Sequence, residues 1–577
     1  MDNSYDFDVA IIGGGPGGAT TGTLLKKYRP DLRVAIFERE SFPREHVGES
    51  LLPPVCGVLN EMGCWDQVEE ADFPIKVGAT YRWGKSPELW DFDFIAGEEF
   101  KEEPRPAKFE GQRTQTSFQV DRAKYDTILL DHALRSGCDV FQPQRVVGVR
   151  REGDRVLGLI LEDGQFVSSK YAVDASGHSG FLRRSMDVKA EYPTSLQNIA
   201  IWEYWQNASW AVKIGVGGTR VYVMSLGYGW IWFIPIGPTR TSVGLVIPAE
   251  YYKKSGLRPE DLYRKALSED PLIVELMKEA SSEGLLQTTK DWSFVADRIC
   301  GENWFLVGES AGFADPILAA GLTMTHLAGR EAAYTILELE KGRHKQPWLC
   351  EQYDKRQRER ILTHIRFADY WYTANAQFKD LQEFTSQLAK DVGLDLSPEK
   401  AWAWLAQGGF ISEESLIGTG GYSFAFLKQS SQFLSDLDSK SPLENNNVFK
   451  LNLAGASWRE PAMYRNGKVE KSQGYIRGER VLPITGPAEI VVHVLQRVSR
   501  LSDIIDHFNF EASRQANNPG FLDRLQMVPE TMEAMIHDGW ILASHDPSTP
   551  LVPLMHGPTT LRWHRPISQP LASPTLE

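Results

Sequence analysis

The chain has 577 residues, enough for two to four domains, with 42% hydrophobic and 24% charged residues and a formal net charge of -14. An acidic surface excludes nucleic acid as the main partner, because phosphate binding needs clustered Lys and Arg. No apolar run reaches the ~18 residues that span a bilayer, the first residues carry no secretory pattern, and five cysteines without a CxxC spacing read as free thiols. The expectation is a cytoplasmic protein with no membrane partner and no metal site.

In chain order, Asp8 to Ile12 is an apolar run ending in glycines, Thr20 to Lys27 reads as a helix, and Arg33 to Glu38 as a second strand. This is the opening unit of a doubly wound α/β sheet. Val146 to Val167 alternates as strands do, and Tyr171 to Ala175 is a buried strand running into Asp174-Ala-Ser-Gly177. Residues 190–290 are rich in strand formers and Trp and predict an inserted antiparallel sheet. Trp304 to Val307 is another strand, and Leu322 to Glu340 and Cys350 to Lys379 are helices.

From about Asp391 the composition changes. Gly418 to Gly421 and Ser435 to Asn447 read as loops, and Ile490 to Ala543 has helical periodicity, closing on Gly539-Trp540-Ile541-Leu542. The domain expectation is a core at 1–345, a helical connection at 346–390 and a mainly helical region at 391–577, compatible with a winged-helix-like module. Between Val481 and Pro550 nine acids stand against four bases, so a packing or lid role is expected there, not DNA binding.

The chemistry begins at Gly13-x-Gly15-x-x-Gly18, which follows a strand and opens a helix. Gly13 permits the tight turn, Gly15 lets the backbone approach a pyrophosphate, and Gly18 lets helix and strand pack closely. The helix N-terminus offers unpaired N–H groups to phosphates. Glu38, ending the second strand, suits ribose hydroxyls. Only one such fingerprint exists, so no separate NAD(P)H domain is expected.

Two further turns favour FAD. One is Asp174-Ala-Ser-Gly177. The other, Trp304-Phe-Leu-Val-Gly308-Glu309-Ser-Ala-Gly312-Phe-Ala-Asp315-Pro316, resembles the GD segment of the flavin monooxygenase-like fold, with Glu309 where Asp is usual and Asp315 as an alternative polar contact. Phe118-Gln-Val-Asp-Arg122 resembles the segment holding the adenosine half, through Arg122.

Four more segments narrow the resemblance. Gly229-Trp230-Ile-Trp232-Phe-Ile234-Pro235 carries the WxWxIP motif of flavin-dependent halogenases. Phe42-Pro-Arg44-Glu-His-Val-Gly48-Glu49-Ser50-Leu-Leu-Pro53 resembles their FPR-x-H-x-GES-x-LP segment. Phe73-Pro-Ile-Lys76-Val-Gly78-Ala79 places a lysine where they carry the catalytic one. Ala319-Ala320-Gly321-Leu322-Thr323 resembles their chloride-binding turn. The likeness covers most of residues 1 to about 345. It is strongest to the branch acting on phenolic, pyrrolic or aliphatic acyl substrates, often tethered to a carrier protein.

The resemblance implies that FADH2, O2 and chloride or bromide yield hypohalous acid. This travels to Lys76, which hydrogen-bonds it or carries it as a chloramine. Arg44 and Ser50 are implied on the cofactor side, Glu49 in the flavin-side network, and the Gly321 and Leu322 N–H groups around the halide. Trp230 and Trp232 alternate on one strand and share a face, either walling substrate from flavin or serving as core. His46 reads as structural. A separate NAD(P)H-dependent flavin reductase is implied as partner. Arg356, Arg358, Arg360 and Arg366 are a candidate patch for an acyl carrier protein, or a solvated helix face. A hydroxylating flavin monooxygenase and an FAD-dependent reductase share this fold and remain alternatives.

Overall fold

The computed structural model describes residues 5–83, 89–94, 104–110, 112–210, 213–215, 217–374, 442–477, 480–515, 521, 524–525, 528–537, 539–549, 551 and 561–564. The chain divides into two compact units, Met1–Asp369 with Tyr464–Val469 and Arg562–Glu577, and Tyr370–Met463 with Glu470–Leu561. The loops expected at Gly418 to Gly421 and through most of 435–447 lie outside the described residues.

In the first unit, the apolar runs form a parallel sheet. Phe7–Ile12 lies between Val34–Phe37 and Phe166–Asp174; Asp139–Phe141 extends one side, and Trp304–Leu306 pairs beside Phe166–Asp174. Val9, Ala10, Ile11, Val34, Ala35 and Ile36 are fully buried, as strands covered on both faces must be. Helix Pro16–Tyr28 starts with Pro at its first position, where no N–H is missed. His326 ties three helices together: its ring nitrogens meet Thr20 Oγ1 at 2.8 Å and Tyr125 Oη at 2.9 Å. Burial pushes its pKa down to about 3, so the ring is neutral.

The second sheet runs Gln197–Gln206, Arg240–Pro248, Trp230–Pro235, Gly218–Ser225, Ile75–Arg82, Leu89–Asp93, with Gln287–Trp292 at its start. It is wider than the 190–290 segment. Ile75–Arg82, the strand that carries Lys76, joins it in parallel beside Gly218–Ser225. That pairing spans some 140 residues of chain and leaves no local periodicity to read.

The two faces of this sheet differ. Ile201, Tyr222, Met224, Ile231, Phe233, Val243, Leu245 and Ile247 form an apolar core with Leu262, Tyr263 and Ala266 of helix Pro259–Glu269. The opposite face presents Trp202, Tyr204, Ser242, Trp230 and Trp232, as the alternation and cross-strand register require.

Helix Gly321–Lys341 packs along Pro16–Tyr28, and helix Gln346–Ala374 follows. Three of the four arginines singled out on the latter are engaged within the chain. Arg356 and Arg360 both pair with the buried Glu331, at 3.0 and 2.8 Å, and Arg358 pairs with Glu191 at 2.9 Å. The Glu331 carboxylate, buried in the preceding helix, draws Arg356 and Arg360 inward.

In the second unit, helices Gly486–Leu495, Leu501–Arg514 and Val528–His537 pack with the antiparallel strands Val448–Leu451 and Ile541–Ser544. Phe449, Leu482, Val491, Met535 and Trp540 are the fully buried centre. The Arg477 guanidinium stacks 4.2 Å from the Trp540 ring centroid. Among the described residues, no helix is long and apolar enough to cross a membrane.

Candidate active site

The glycine loop turns sharply because Gly13 has φ +102°, and a Cβ there would lie 2.4 Å from the Ala175 carbonyl oxygen. A Cβ on Gly18 would lie 2.0 Å from the Gly13 oxygen, so helix and strand meet backbone to backbone. Gly15 is the N-cap, and no side chain caps the helix. Its first N–H groups therefore face outward with the dipole's positive end. Arg44 supplies a cation: Nη2 is 3.3 Å from where a Gly15 Cβ would be.

Glu38 accepts from Gly14 N at 2.7 Å and Glu40 N at 2.9 Å, leaving carboxylate lone pairs for ribose hydroxyls. This donor set, anion cradle and close backbone approach fit FAD. Bound there, the flavin supplies the oxygen-activating redox chemistry.

Arg122 makes a bidentate pair with Asp126 at 2.8 and 2.9 Å and donates through Nη1 to the carbonyls of Val47 and Gly48. It therefore clamps the Phe42 to Pro53 segment onto helix Arg122–Arg135. His46 meets Val47 O at 2.7 Å and Arg122 Nη1 at 3.2 Å, and burial lowers its pKa to about 4. A neutral, bonded imidazole is a strut.

Asp174, Asp315 and Glu309 sit differently from one another. Asp174 accepts from Ser176 N and Oγ in the turn it begins, and from Leu182 N and Arg183 N at the start of the helix Phe181–Ser185 that follows. Asp315 accepts from Ile317 N at 2.9 Å and Asn198 Nδ2 at 3.2 Å. Both carboxylates thus also brace backbone N–H groups close to them in the chain. Glu309 is half-buried in the Gly308–Ser310 turn, where burial raises its pKa against the pull of His178 and Arg122.

Ala319 is in the left-handed region at φ +52°, and helix Gly321–Lys341 then begins with no side-chain cap. A Cβ on Gly321 meets nothing within 4 Å. The helix thus starts with Gly321 and Leu322 N–H groups that no side chain caps, the kind of terminus that suits an anion. Thr323, the last residue of that segment, adds a buried hydroxyl without a partner among the described residues.

Glu49 is buried, and burial raises its pKa. It accepts from Tyr204 Oη at 3.0 Å, Ser242 Oγ at 3.3 Å and Gly48 N at 3.1 Å. Ser242 in turn accepts from Trp232 Nε1 at 3.1 Å. One chain of bonds therefore links the flavin-side segment to the tryptophan face. Sequence reading missed Tyr204 and Ser242. They face each other across paired strands, and that register is not a local signal.

Trp230 and Trp232 are both buried, with ring centroids 6.1 Å apart; Trp202 lies 6.4 Å from Trp232 and Trp83 6.4 Å from Trp230. Trp232 lies flat over Gly244, whose missing side chain makes room for the ring. Lys76 is wholly buried with no hydrogen-bond partner among the described residues, its Nζ 5.4 Å from the Phe94 ring centroid. Burial alone lowers its pKa to about 7.

The sequence profile described as tryptophan halogenase matches residues 8–109 and 95–381. The chain is 31% identical over 390 residues to a 1H-pyrrole-2-carbonyl peptidyl-carrier-protein chlorinase of Pseudomonas fluorescens, covering 65% of this chain and 86% of that protein. It is 30% identical over 392 residues to a tryptophan 2-halogenase of Chondromyces crocatus, covering 66% and 70%. The crystal structure of CmlS, a flavin-dependent halogenase, superposes with a TM-score of 0.70 at 23% identity, covering 96% of this chain and 98% of that one, a likeness of fold. The chain belongs to the tryptophan halogenase family and is an FAD-dependent halogenase.

Proposed function

We propose that the enzyme halogenates an electron-rich aromatic acyl group held on a carrier protein. The observation that carries this is the likeness to the pyrrole-carrier chlorinase, which reaches 86% of that protein. In this reading Arg44 and the uncapped helix hold the FAD pyrophosphate, Glu38 the ribose, and Arg122 clamps the segment that brings Ser50 to the cofactor side. Gly321 and Leu322 hold chloride or bromide. Glu49 orients the flavin-side network, and the Trp230–Trp232 face keeps substrate from the flavin.

Lys76 is the halogen carrier. Near its pKa of about 7 the amine is largely neutral and nucleophilic at mildly alkaline pH. It reacts as Lys–NH2 + HOX → Lys–NHX + H2O. The N–X bond then breaks as the aromatic carbon takes X and its ring proton returns to the amine. Since one nucleotide fingerprint exists, FADH2 comes from a separate NAD(P)H-dependent reductase in the same cytoplasm.

The test is mass spectrometry of products with FADH2 supplied and chloride or bromide varied, using carrier-bound pyrrole-2-carbonyl against free tryptophan. Halogen in the carrier-bound acyl group supports the reading; halogen only in free tryptophan overturns it. Purified protein with NADH and FAD alone should consume almost no NADH, and rapid consumption would sink the separate reductase.

A further inference from the structure

Lys76 has a polar neighbour, Gln119, that the mechanism above leaves unused, and beyond Gln119 stands Ser50. Gln119 is wholly buried, and neither its Nε2 nor its Oε1 has a hydrogen-bond partner among the described residues. Ser50 is also buried, with its Oγ equally unpartnered. Their places follow from register. Lys76 stands opposite Ser117 on the short strand Ser117–Phe118, and Gln119 N donates to Pro74 O at 2.9 Å. Gln119 is therefore the diagonal neighbour of Lys76 on one face of the sheet. Ser50 bridges Gln119 from the other side. Ser117, between them, has the Cys56 thiol beside its hydroxyl.

The row Ser50, Gln119, Lys76 thus leads from the Gly48-Glu49-Ser50 segment beside the flavin to the amine. A carboxamide buried with both ends unbonded is unfavourable unless a guest completes it. The guest must be small, and it must both give and accept a hydrogen bond. Hypohalous acid does so through its O–H and its oxygen.

Resting on the reading of Lys76 as halogen acceptor, we propose that Gln119 is a positioning residue that hydrogen-bonds hypohalous acid beside Lys76, with Ser50 as the preceding station. No bond to the oxidant is made or broken at Gln119. Its amide holds the oxygen end and leaves the halogen end toward the amine.

The test compares wild type, Gln119→Leu and Lys76→Ala in two assays. In the first, apo-protein receives one equivalent of hypochlorous acid, and oxidising equivalents retained after gel filtration are titrated with iodide. Wild type should retain more than Lys76→Ala, and Gln119→Leu should fall most of the way to the Lys76→Ala value. In the second, FADH2 is supplied with chloride, and hypochlorous acid escaping to solution is trapped with monochlorodimedone. Gln119→Leu should consume FADH2 within twofold of wild type while trapped oxidant rises at least fivefold.

Gln119→Glu, which keeps shape and one acceptor, should fall between the two. Unchanged retention and unchanged escape in Gln119→Leu overturn the proposal, and so does an equal loss of FADH2 consumption and escape, which is what an ordered water or a purely structural amide would give. If Lys76→Ala retains as much as wild type, the Lys76 reading fails instead, and the escape assay still judges Gln119.

Discussion

Lys76 stands opposite Thr219 on the neighbouring parallel strand, while Gly78 stands opposite Arg220, so Val77 is an extra residue in the ladder. This β-bulge decides where the lysine points. Thr219, Val221 and Val223 alternate onto one face, and Val223 pairs with Trp232. Lys76 therefore shares the tryptophan face. In an unbroken ladder it would share the face of Arg220, which pairs with Asp93 at 2.7 Å and Asp91 at 3.3 Å. Carboxylates there would hold the amine charged. On the tryptophan face nothing opposes desolvation, and the pKa falls to about 7.

That burial has a measurable price in stability. The folded pKa of about 7 lies below a lysine's ordinary 10.5, so between these values the unfolded chain binds a proton that the folded chain does not. Stability from this group therefore rises with pH from about 7 to about 10.5. At roughly 1.4 kcal/mol per pH unit, the penalty at low pH is on the order of 5 kcal/mol. Lys76→Met, of similar shape without charge, should raise Tm by ~5 °C or more at pH 6 and by less than half that at pH 9. Product formation should fall ~100-fold or more. In the wild type, product formed at saturating FADH2 should rise with pH through about 7. Thermal melts and a pH profile check both; a variant less stable at pH 6 would contradict the buried, unpaired amine.

Gly13→Ala tests the cradle. The new Cβ would sit 2.4 Å from the Ala175 oxygen at φ +102°, and neither backbone can yield without moving the loop. Strain of this kind costs about 1–3 kcal/mol. FAD affinity should fall by at least tenfold and Tm by a few degrees, read by flavin fluorescence titration and thermal melting. Unchanged affinity would move the pyrophosphate away from this loop.

Much of this was legible from residues close in sequence. The glycine loop, Glu38, the uncapped turn at Gly321 and the Trp230-x-Trp232 alternation all work through backbone geometry within a few positions. What was hidden depends on pairing between distant strands. The bulge at Val77, the bonds from Tyr204 and Ser242 to Glu49, and the wider sheet are set by register. Asp174 and Asp315 also bond backbone N–H groups close to them in the chain, a local role that their place beside turns makes natural. The pairing of Arg356 and Arg360 with Glu331 could not be read locally, because that partner lies a helix away.

Gly244→Ala tests the tryptophan wall without touching a tryptophan. Gly244 pairs directly with Trp232 across antiparallel strands, and a Cβ there would lie 2.1 Å from the indole ring. The ring must move, and its bond to Ser242, which leads on to Glu49, must lengthen or break. Because this changes the wall and not the cradle at Gly13, FAD affinity should stay within about twofold, while halogenated product falls ~10-fold or more. If the wall keeps substrate from the flavin, hydroxylated product should appear alongside. Trp232→Phe keeps a flat ring over Gly244 and loses only the N–H donor, so its loss should be several-fold smaller. Product mass spectrometry measures both ratios. Full halogenation by Gly244→Ala, with no hydroxylation, would reduce the paired tryptophans to packing.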